Sequence, residues 1–301
     1  MAKTSIGGEG EKGLGKPLAV LVVIVLIAVG AYLLLSQPGE VGPVTPVTDN
    51  SKQILNQALA ATSAATRQTF DMSGYIQATS RVQDIKVPFA GEGAQDIDAQ
   101  EMYFKTEISI PEIGFFEGGS QIIETYMIGN EIYTSAGADW VKVVSEEDIW
   151  AEDGQLVGPG QVVNLLNDMG SELIGSAVVD GKDTYEIRII PNIEMMIQQL
   201  QTIQPPGLEP LEPLSAAGIQ EVKDAVEDMS AKVWVDKASN LPVKVELKID
   251  FVFKNIDVEL GRVADLDVSL YFLINNDFES PVTITLPAAA QAAEEVTTEG
   301  F

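Results

Sequence analysis

The segment PVKVELKIDFVFK, residues 242–254, decides the fold of this chain. Apolar and charged residues alternate through most of it, which is the period of a β-strand with one face in a core and one in water. The apolar positions are Val243, Val245, Leu247, Ile249, Phe251 and Phe253. Residues 266–274 repeat the alternation, so the sequence predicts two long strands of the same kind.

Shorter alternating segments extend the predicted sheet toward the N-terminus. Residues 69–79 and 101–110 have the same period of two. Gly129-Asn130 and Asp180-Gly181 each separate two short β-like segments, and such pairs are typical of two-residue hairpin turns. Strands joined by tight hairpins are antiparallel, so the pattern predicts a large antiparallel sheet. Residues 87–91, which include a proline, are compatible with either an edge strand or a turn.

A few amphipathic helices are predicted beside the sheet. Residues 51–68 carry apolar side chains at helical spacing behind the capping candidates of residues 49–51, and helices are also expected near 161–170, 192–203 and 215–228. Residues 204–214 form a proline-rich loop that acts either as a lid or as a stiff connector. The sequence predicts a single α+β domain at 50–287, with helices against the apolar face of the sheet, and a disordered tail at 288–301.

An uninterrupted apolar segment, LAVLVVIVLIAVGAYLLL at residues 18–35, precedes this domain. As a helix it would be roughly 27 Å long, close to the hydrocarbon thickness of a bilayer. Lysines occur before it but not after it until Lys52, which predicts a cytoplasmic N-terminus. We therefore predict a cytoplasmic tail at 1–16, a transmembrane signal-anchor helix at 17–36 and an extended spacer at 37–49. A cleaved signal peptide is the alternative, although its apolar region is usually shorter.

The composition excludes several classes of function. The 301 residues include 18 Lys plus Arg and 45 Asp plus Glu, for a net charge of −27, which does not suit nucleic-acid binding. The chain contains neither cysteine nor histidine, so disulfides, the common zinc sites and histidine-activated nucleophiles are absent. Asp96, Asp98 and Glu101 have only a loose calcium-ligand spacing. We predict no enzyme activity, no cofactor and no metal site.

The order of the elements resembles the LolA-like superfamily, which includes the LolA/LolB lipoprotein carriers and the LppX/LprG-type mycobacterial lipoproteins. The resemblance rests on VWVDKASNLPVKVELKI at 233–249, on PVTITLP at 281–287, and on an N-terminal helix that runs into a long meander. It implies an unclosed half-barrel, a curved sheet whose concave face is covered by helices around a cavity for acyl chains. Members are typically soluble or lipid-anchored, so a transmembrane anchor here implies local capture, hand-off or sensing.

The resemblance and the apolar pattern together suggest residues for a hydrophobic ligand. Methionine packs adaptably around irregular apolar groups, and large apolar side chains of the last strands face the same layer. The candidates for lining the cavity are Met195, Met196, Ile197, Leu200, Phe251, Phe253 and Phe272. Phe115 and Phe116 are adjacent in a turn and cannot both face a core, which suggests a cavity mouth or a membrane contact. The alternative for all of them is ordinary packing.

The sequence therefore favours a membrane-anchored extracytoplasmic protein that binds a lipid or another apolar small molecule between sheet and helices. The alternative is a structural protein, or the partner of an unknown envelope protein, whose half-barrel is a filled core without a ligand.

Overall fold

The computed structural model describes residues 50–81, 84–112, 118–137, 139–145, 149–150, 170–190, 220, 223–259 and 262–296. Within these ranges the chain forms two complete helices and twelve strands, and residues 220 and 223–225 are also helical. The helices are α1 (Asn50–Ala64) and α2 (Ala288–Gln291). The strands are β1 (Arg67–Ser80), β2 (Asp84–Asp96), β3 (Glu101–Ile110), β4 (Gly119–Ile128), β5 (Glu131–Ala136), β6 (Trp140–Val144), β7 (Gly170–Val179), β8 (Lys182–Ile190), β9 (Val226–Asp236), β10 (Pro242–Glu259), β11 (Arg262–Asp277) and β12 (Glu294–Glu295).

All twelve strands belong to one sheet, in the order β12-β6-β5-β4-β3-β2-β1-β11-β10-β9-β8-β7. Every neighbouring pair is antiparallel except β12 and β6, which are parallel. Two meanders, β1–β6 and β7–β11, are joined by hydrogen bonds between β1 and β11, where Tyr75 lies opposite Tyr271. The described sheet is unclosed, because β12 and β7 lie at its two edges. The predicted large antiparallel sheet is therefore confirmed, and its open order fits a half-barrel.

Helix α1 packs against one face of the sheet, over β7 and β9. Its buried apolar side chains are Ile54, Leu55 and Ala58, which recur at the helical spacing seen in the sequence. The helix ends at Ala64, four residues before the predicted end, because Arg67 already pairs with Asp96 in the ladder between β1 and β2. The Arg67 guanidinium also contacts the Asp96 carboxylate at 2.8 Å.

The tight hairpins form where the turn pairs predict them. Asp180 and Gly181, between β7 and β8, both have positive φ, at 48° and 80°, as a type I′ turn requires. Gly129, between β4 and β5, has a φ of 55°. These backbone angles match the right-handed twist of the flanking strands, which fixes the register of both hairpins.

The region of residues 87–91 is an interior strand. Pro88 lies in β2 opposite Tyr75 of β1, whereas the pairing of β2 with β3 begins only at Phe89. Proline lacks the backbone N–H that a paired central position would need, and Pro88 is tolerated because the ladder between β2 and β3 stops at Phe89.

The C-terminal segment differs from the prediction. Residues 281–287 form no strand, and residues 288–296, expected to be disordered, contain α2 and β12. Ala290 is fully buried, and the Val296 N–H donates to the Lys142 carbonyl at 2.9 Å. The segment crosses the sheet and pairs with the edge strand β6. The helix predicted at 215–228 is present at residues 220 and 223–225, but residues 226–228 already belong to β9.

Several predictions fall outside the described residues. They are the transmembrane helix, the spacer, the helices near 161–170 and 192–203, and the loop at 204–214. No helix in the described part of the chain combines the length and apolarity needed to cross a membrane.

Candidate functional site

The apolar inner face of the sheet, defined as the face against which α1 packs, is the candidate site. Alternate residues of the strands point to it, and they form one continuous buried cluster with the apolar side of α1. From the sheet the cluster contains Phe70, Met72, Ile76, Phe89, Ile187, Ile189, Val233, Val235, Val245, Leu247, Ile249, Phe251, Val268, Leu270, Phe272 and Ile274. This layer extends across six of the twelve strands, which is more apolar area than the 15-residue α1 alone can cover.

Two glycines allow aromatic rings to lie flat on this face. A Cβ atom at Gly93 would lie 2.0 Å from the Phe70 ring, and one at Gly74 would lie 2.5 Å from the Phe89 ring. Only glycine, which has no Cβ atom, leaves room for a ring to approach the backbone this closely. The glycines therefore make the inner face smooth over β1 and β2.

Three of the predicted ligand-binding residues lie together on the inner face. The rings of Phe251 and Phe253 are 5.9 Å apart and nearly parallel, and the Phe272 ring lies 5.8 Å from that of Phe89. Phe251 and Phe272 are buried, while Phe253 is half-buried. Met195, Met196, Ile197 and Leu200, and the candidate mouth residues Phe115 and Phe116, lie outside the described residues.

Further aromatic residues of the inner face were not singled out from the sequence. Phe70 and Phe104 have ring centroids 6.1 Å apart, on β1 and β3. Both residues alternate with polar residues in the sequence. This period of two indicates a strand and would have assigned both rings to its apolar face. Phe89 was harder to assign from the sequence, because the neighbouring Pro88 made a turn as plausible as a strand.

The opposite, outer face carries a second and smaller apolar cluster. Tyr126 and Tyr133 are buried there under Ala290, with Tyr103, Trp140, Ile284 and Leu286 packed around them. The pKa of Tyr126 is raised, first by burial and then by the negative charge of Glu124. The pKa of Tyr103 is raised more strongly, first by burial and then by Tyr126 and Glu92. These hydroxyls therefore stay protonated and neutral at ordinary pH.

Two surface clefts lie away from the buried cluster of the inner face. A cleft of about 570 Å³ is lined by Lys182, Asp183, Asp236, Lys237, Ala238 and Glu279. Lys182 pairs with Glu279 at 3.3 Å, and Lys237 with Asp183 at 3.8 Å. Burial acts to raise the pKa of Asp236, but hydrogen bonds donated by Ser239 and by the Ala238 and Ser239 N–H groups outweigh it, so the pKa is lowered. Because its charges are paired within the protein, this cleft does not suit an apolar ligand.

The second cleft, of about 400 Å³, lies on the outer face beside the C-terminal segment. Its lining residues are Ser120, Ile122, Glu124, Ser135, Gly137, Trp140 and Pro287. Ser135 donates to the Gly137 carbonyl at 2.9 Å, and Glu124 lies 3.7 Å from Lys105. Among the described residues, no group of three or more carboxylates is placed to hold a metal ion.

The described fold is thus an unclosed antiparallel sheet with one continuous apolar face. Solved structures similar to it include LppX of Mycobacterium tuberculosis, with 15% identity over 78% of this chain and 97% of that chain, at a TM-score of 0.33. LprF of Mycobacterium bovis has 12% identity over 79% and 96%, at a TM-score of 0.34. A LolA superfamily protein of Nitrosomonas europaea has 12% identity over 75% and 91%, at a TM-score of 0.20.

These structures belong to the group that the sequence resembles. At such identities, and at TM-scores below 0.5, they carry no information about the ligand or partners of this chain. No family model matches the sequence, and no curated protein is similar to it.

Proposed function

We propose that this chain is a membrane-anchored extracytoplasmic binding protein for a lipid or another apolar small molecule. In this proposal the ligand lies against the inner face of the sheet, and residues 17–36 hold the domain at the membrane. The protein is a binder and not an enzyme, which agrees with the absence of histidine and cysteine from the sequence.

The observation that carries this proposal is the extent of the inner face. An amphipathic helix such as α1 covers an apolar stripe about one helix wide, whereas the cluster of the inner face extends from β2 to β8. Phe253, at one margin of the cluster, is only half-buried. An acyl chain that lies along such a smooth aromatic and aliphatic surface gains the same burial energy as a side chain, about 0.8 kcal/mol per CH₂ group.

A second candidate is a structural protein with a filled core. It is favoured by the centre of the same face, where Leu270 is 0% and Ile76 is 1% exposed. Side chains that are already fully enclosed offer no free surface to a ligand. The two candidates therefore differ at the margin of the inner face around Phe253 and not at its centre.

An indole placed at this margin distinguishes the two candidates. We would replace all three native tryptophans of the full-length chain by phenylalanine, introduce Phe253→Trp, reconstitute the protein in phosphatidylcholine vesicles and add dibrominated stearic acid. Bromine quenches indole fluorescence only at short range, so the binding proposal predicts saturable quenching. The filled-core candidate predicts no saturable quenching, because protein side chains already occupy this margin.

The matched control keeps only Trp234, which lies on the outer face beside Lys244. The binding proposal predicts that this indole is not quenched at the same concentrations of brominated acid. Equal and non-saturable quenching of both indoles would mean that the acid acts from the bilayer, and it would refute the proposed site. Urea unfolding of both variants shows that the fold is intact.

A further inference from the structure

The inner face of the sheet carries no charge over its central strands. On β1 to β5, β10 and β11, every described side chain that points to this face is apolar, a hydroxyl or an amide. The described charged residues of these strands, such as Lys86, Glu124 and Glu246, lie on the outer face, because successive side chains of a strand point to opposite sides. An anionic headgroup on this part of the inner face would therefore have no cation to pair with.

Two buried polar groups on the inner face have no hydrogen-bond partner. They are the Thr106 hydroxyl and Asn276 Oδ1, and no other buried side-chain oxygen or nitrogen in the described part of the chain lacks a partner. Thr106 follows the inward-facing Phe104 by two residues on β3, and Asn276 lies opposite Phe70 on β1. The Asn276 Nδ2 donates to the Pro242 carbonyl at 3.0 Å, which leaves Oδ1 as an acceptor. The unused hydrogen-bonding capacity is thus on the face proposed for the ligand.

The surroundings of the Thr106 hydroxyl do not suit a water molecule. The residues directly opposite Thr106 are Gly91 on β2 and Ile123 on β4. The Met72 side chain lies over Gly91, since a Cβ atom there would be 2.5 Å from Met72 Cε. A buried water needs about two to four polar partners, which these neighbours do not provide. Thr106 is only 5% exposed, and a buried hydroxyl without a partner is unfavourable. A ligand that bonds to it would remove this cost.

Thr106 lies where the apolar cluster of the inner face ends. Its neighbours Phe104 and Ile108 on β3 pack against the cluster and are half-buried. Along the row of the sheet that contains Phe104, the next positions on β4 and β5 are Thr125 and Thr134. Their hydroxyls are hydrogen-bonded to each other at 3.2 Å. Near Thr106 the face therefore changes from hydrocarbon to uncharged hydroxyl groups, which complements a lipid with an apolar chain and a neutral headgroup.

We infer that the inner face binds an uncharged lipid that carries a hydroxyl group, and that this hydroxyl forms a hydrogen bond with Thr106. The inference rests on the proposed function, which requires only an apolar chain on this face, and it adds the chemical class of the headgroup. A hydroxyl can donate to or accept from Thr106, and it can donate to Asn276 Oδ1, whereas a carboxylate or a sulfate cannot donate. The two groups are three strand spacings apart, about 14 Å, so Asn276 is a second position for a further hydroxyl of a larger headgroup.

Three ligands with the same eighteen-carbon chain test the headgroup. Oleyl alcohol has a hydroxyl, oleyl sulfate has a permanent negative charge, and cis-9-octadecene has no polar group. The full chain is incubated with equal amounts of all three in micelles of lauryldimethylamine oxide, a detergent without a hydroxyl or N–H group. After gel filtration the bound ligands are extracted, quantified by mass spectrometry and compared with protein-free micelles. We expect oleyl alcohol to be enriched over cis-9-octadecene by about two- to tenfold, the effect of one hydrogen bond, and oleyl sulfate to be bound least.

Substitutions of Thr106 assign the effect to its hydroxyl. Thr106→Val removes the hydroxyl and keeps the shape, so it should abolish the enrichment of oleyl alcohol, whereas Thr106→Ser should retain it. Thr69→Val, on the outer face of β1, is the matched control and should leave the enrichment unchanged. Because the Thr106 hydroxyl is unpaired in the free protein, Thr106→Val should not lower the urea midpoint. A lower midpoint would show that the hydroxyl is already bonded within the protein and would refute the site.

The same series separates a failure of the headgroup site from a failure of the proposed function. If none of the three ligands is retained above its level in protein-free micelles, the binding of an apolar ligand is refuted, and the headgroup site with it. If cis-9-octadecene is retained as well as oleyl alcohol, or oleyl sulfate is retained best, the proposed function stands and the headgroup site alone is refuted. The headgroup site is also refuted if Thr106→Val leaves the enrichment of oleyl alcohol unchanged.

Discussion

The outer face of the sheet has two halves, which differ in what covers their aromatic side chains. The covered half, on β3 to β6, places Tyr103, Tyr126, Tyr133 and Trp140 under residues 281–296. The open half, on β1 and β9 to β11, has no such cover in the described structure. Both halves belong to one sheet and have the same alternation of side chains, so the difference lies in how the aromatic residues are distributed.

In the covered half the aromatic residues are neighbours on successive strands. Tyr103 lies opposite Tyr126, and Tyr126 opposite Tyr133, with centroids of Tyr103 and Tyr126 only 4.7 Å apart. In the open half they occur singly or as a pair, and lysines shield them. Lys86 lies 3.8 Å above the Tyr75 ring, and Lys244 lies 4.8 Å from the Trp234 ring. Lysine stems can shield an isolated ring, but a contiguous aromatic patch requires a segment of chain.

Removal of the segment that covers the tyrosines should cause the largest loss of stability. A chain that stops at Pro281 loses the packing of Ile284, Leu286 and Ala290 and uncovers the edge of β6. Because full burial of one Ile or Leu is worth about 1.5–3 kcal/mol and both side chains are half-buried, we expect a loss of about 2–4 kcal/mol in the free energy of unfolding, measured with urea. Deletion of residues 297–301 alone is the control. An unchanged urea midpoint for the longer deletion would show that the cover does not stabilise the sheet.

A larger side chain beneath the cover should have an intermediate effect. Ala290 is fully buried, whereas Ala289, its neighbour in α2, is exposed. We expect Ala290→Leu to cost about 1–3 kcal/mol through overpacking. The matched Ala289→Leu should change stability by less than about 0.5 kcal/mol. Equal effects of the two substitutions, measured by thermal unfolding, would mean that α2 is not seated on the tyrosines.

The cover should also control the ionisation of the tyrosines beneath it. Since the folded-state pKa of Tyr103 and Tyr126 is raised above the unfolded value of about 10, their contribution to stability is complete below pH ~10 and is lost as pH rises above it. The chain that stops at Pro281 should ionise these tyrosines at lower pH, as followed by tyrosinate absorbance. Tyr271 of the open half, whose pKa is raised by burial and by Glu246, should titrate as before.

To assign the change, Tyr271→Phe is introduced into both the full chain and the shortened chain. The shift between the two titration curves should persist in its presence. A shift that disappears with Tyr271→Phe would locate the change in the open half and contradict the role of the cover.

The smallest effect is expected in the open half. Lys86→Gln or Lys244→Gln removes a cation from above an aromatic ring, which at exposed sites is worth about 0.5–1 kcal/mol. Lys254→Gln, at an exposed position of β10, serves as the control. High salt should reduce the difference between the variants. A loss above about 2 kcal/mol would show that the lysines stabilise the open half as strongly as the C-terminal segment stabilises the covered half.

The strands and hairpins of this fold could be predicted from the sequence because their signals are local. Alternation locates β10 and β11, and Asp180-Gly181 defines a turn by backbone angles alone. The pairing of β1 with β11 was not predicted, since the two strands are far apart in sequence and local patterns do not indicate which distant strands meet. Phe251, Phe253 and Phe272 could be assigned to one apolar layer from their period.

The C-terminal cover was not predicted because its signal depends on another part of the sheet. Residues 288–293 are mostly alanine, which has too little apolar surface to indicate a core position by itself. Tyr103, Tyr126 and Tyr133 occupy positions that the alternation assigns to water. The three rings lie side by side only after three adjacent strands have paired, and only then can a short alanine helix cover them. The strand order must therefore be known before the cover can be predicted.

The pairing of β1 with β11 has a consequence for the order in which the protein can fold. Thr69 of β1 lies opposite Asp277 of β11, so the ladder that joins the two meanders forms between segments about two hundred residues apart. Contacts of such long sequence separation slow folding. A chain that emerges from its N-terminus first leaves one edge of β1 without a partner until β11 has appeared. During this interval we expect the β1–β6 meander to need protection from pairing with strands of other chains. The need ends when the ladder between β1 and β11 is complete.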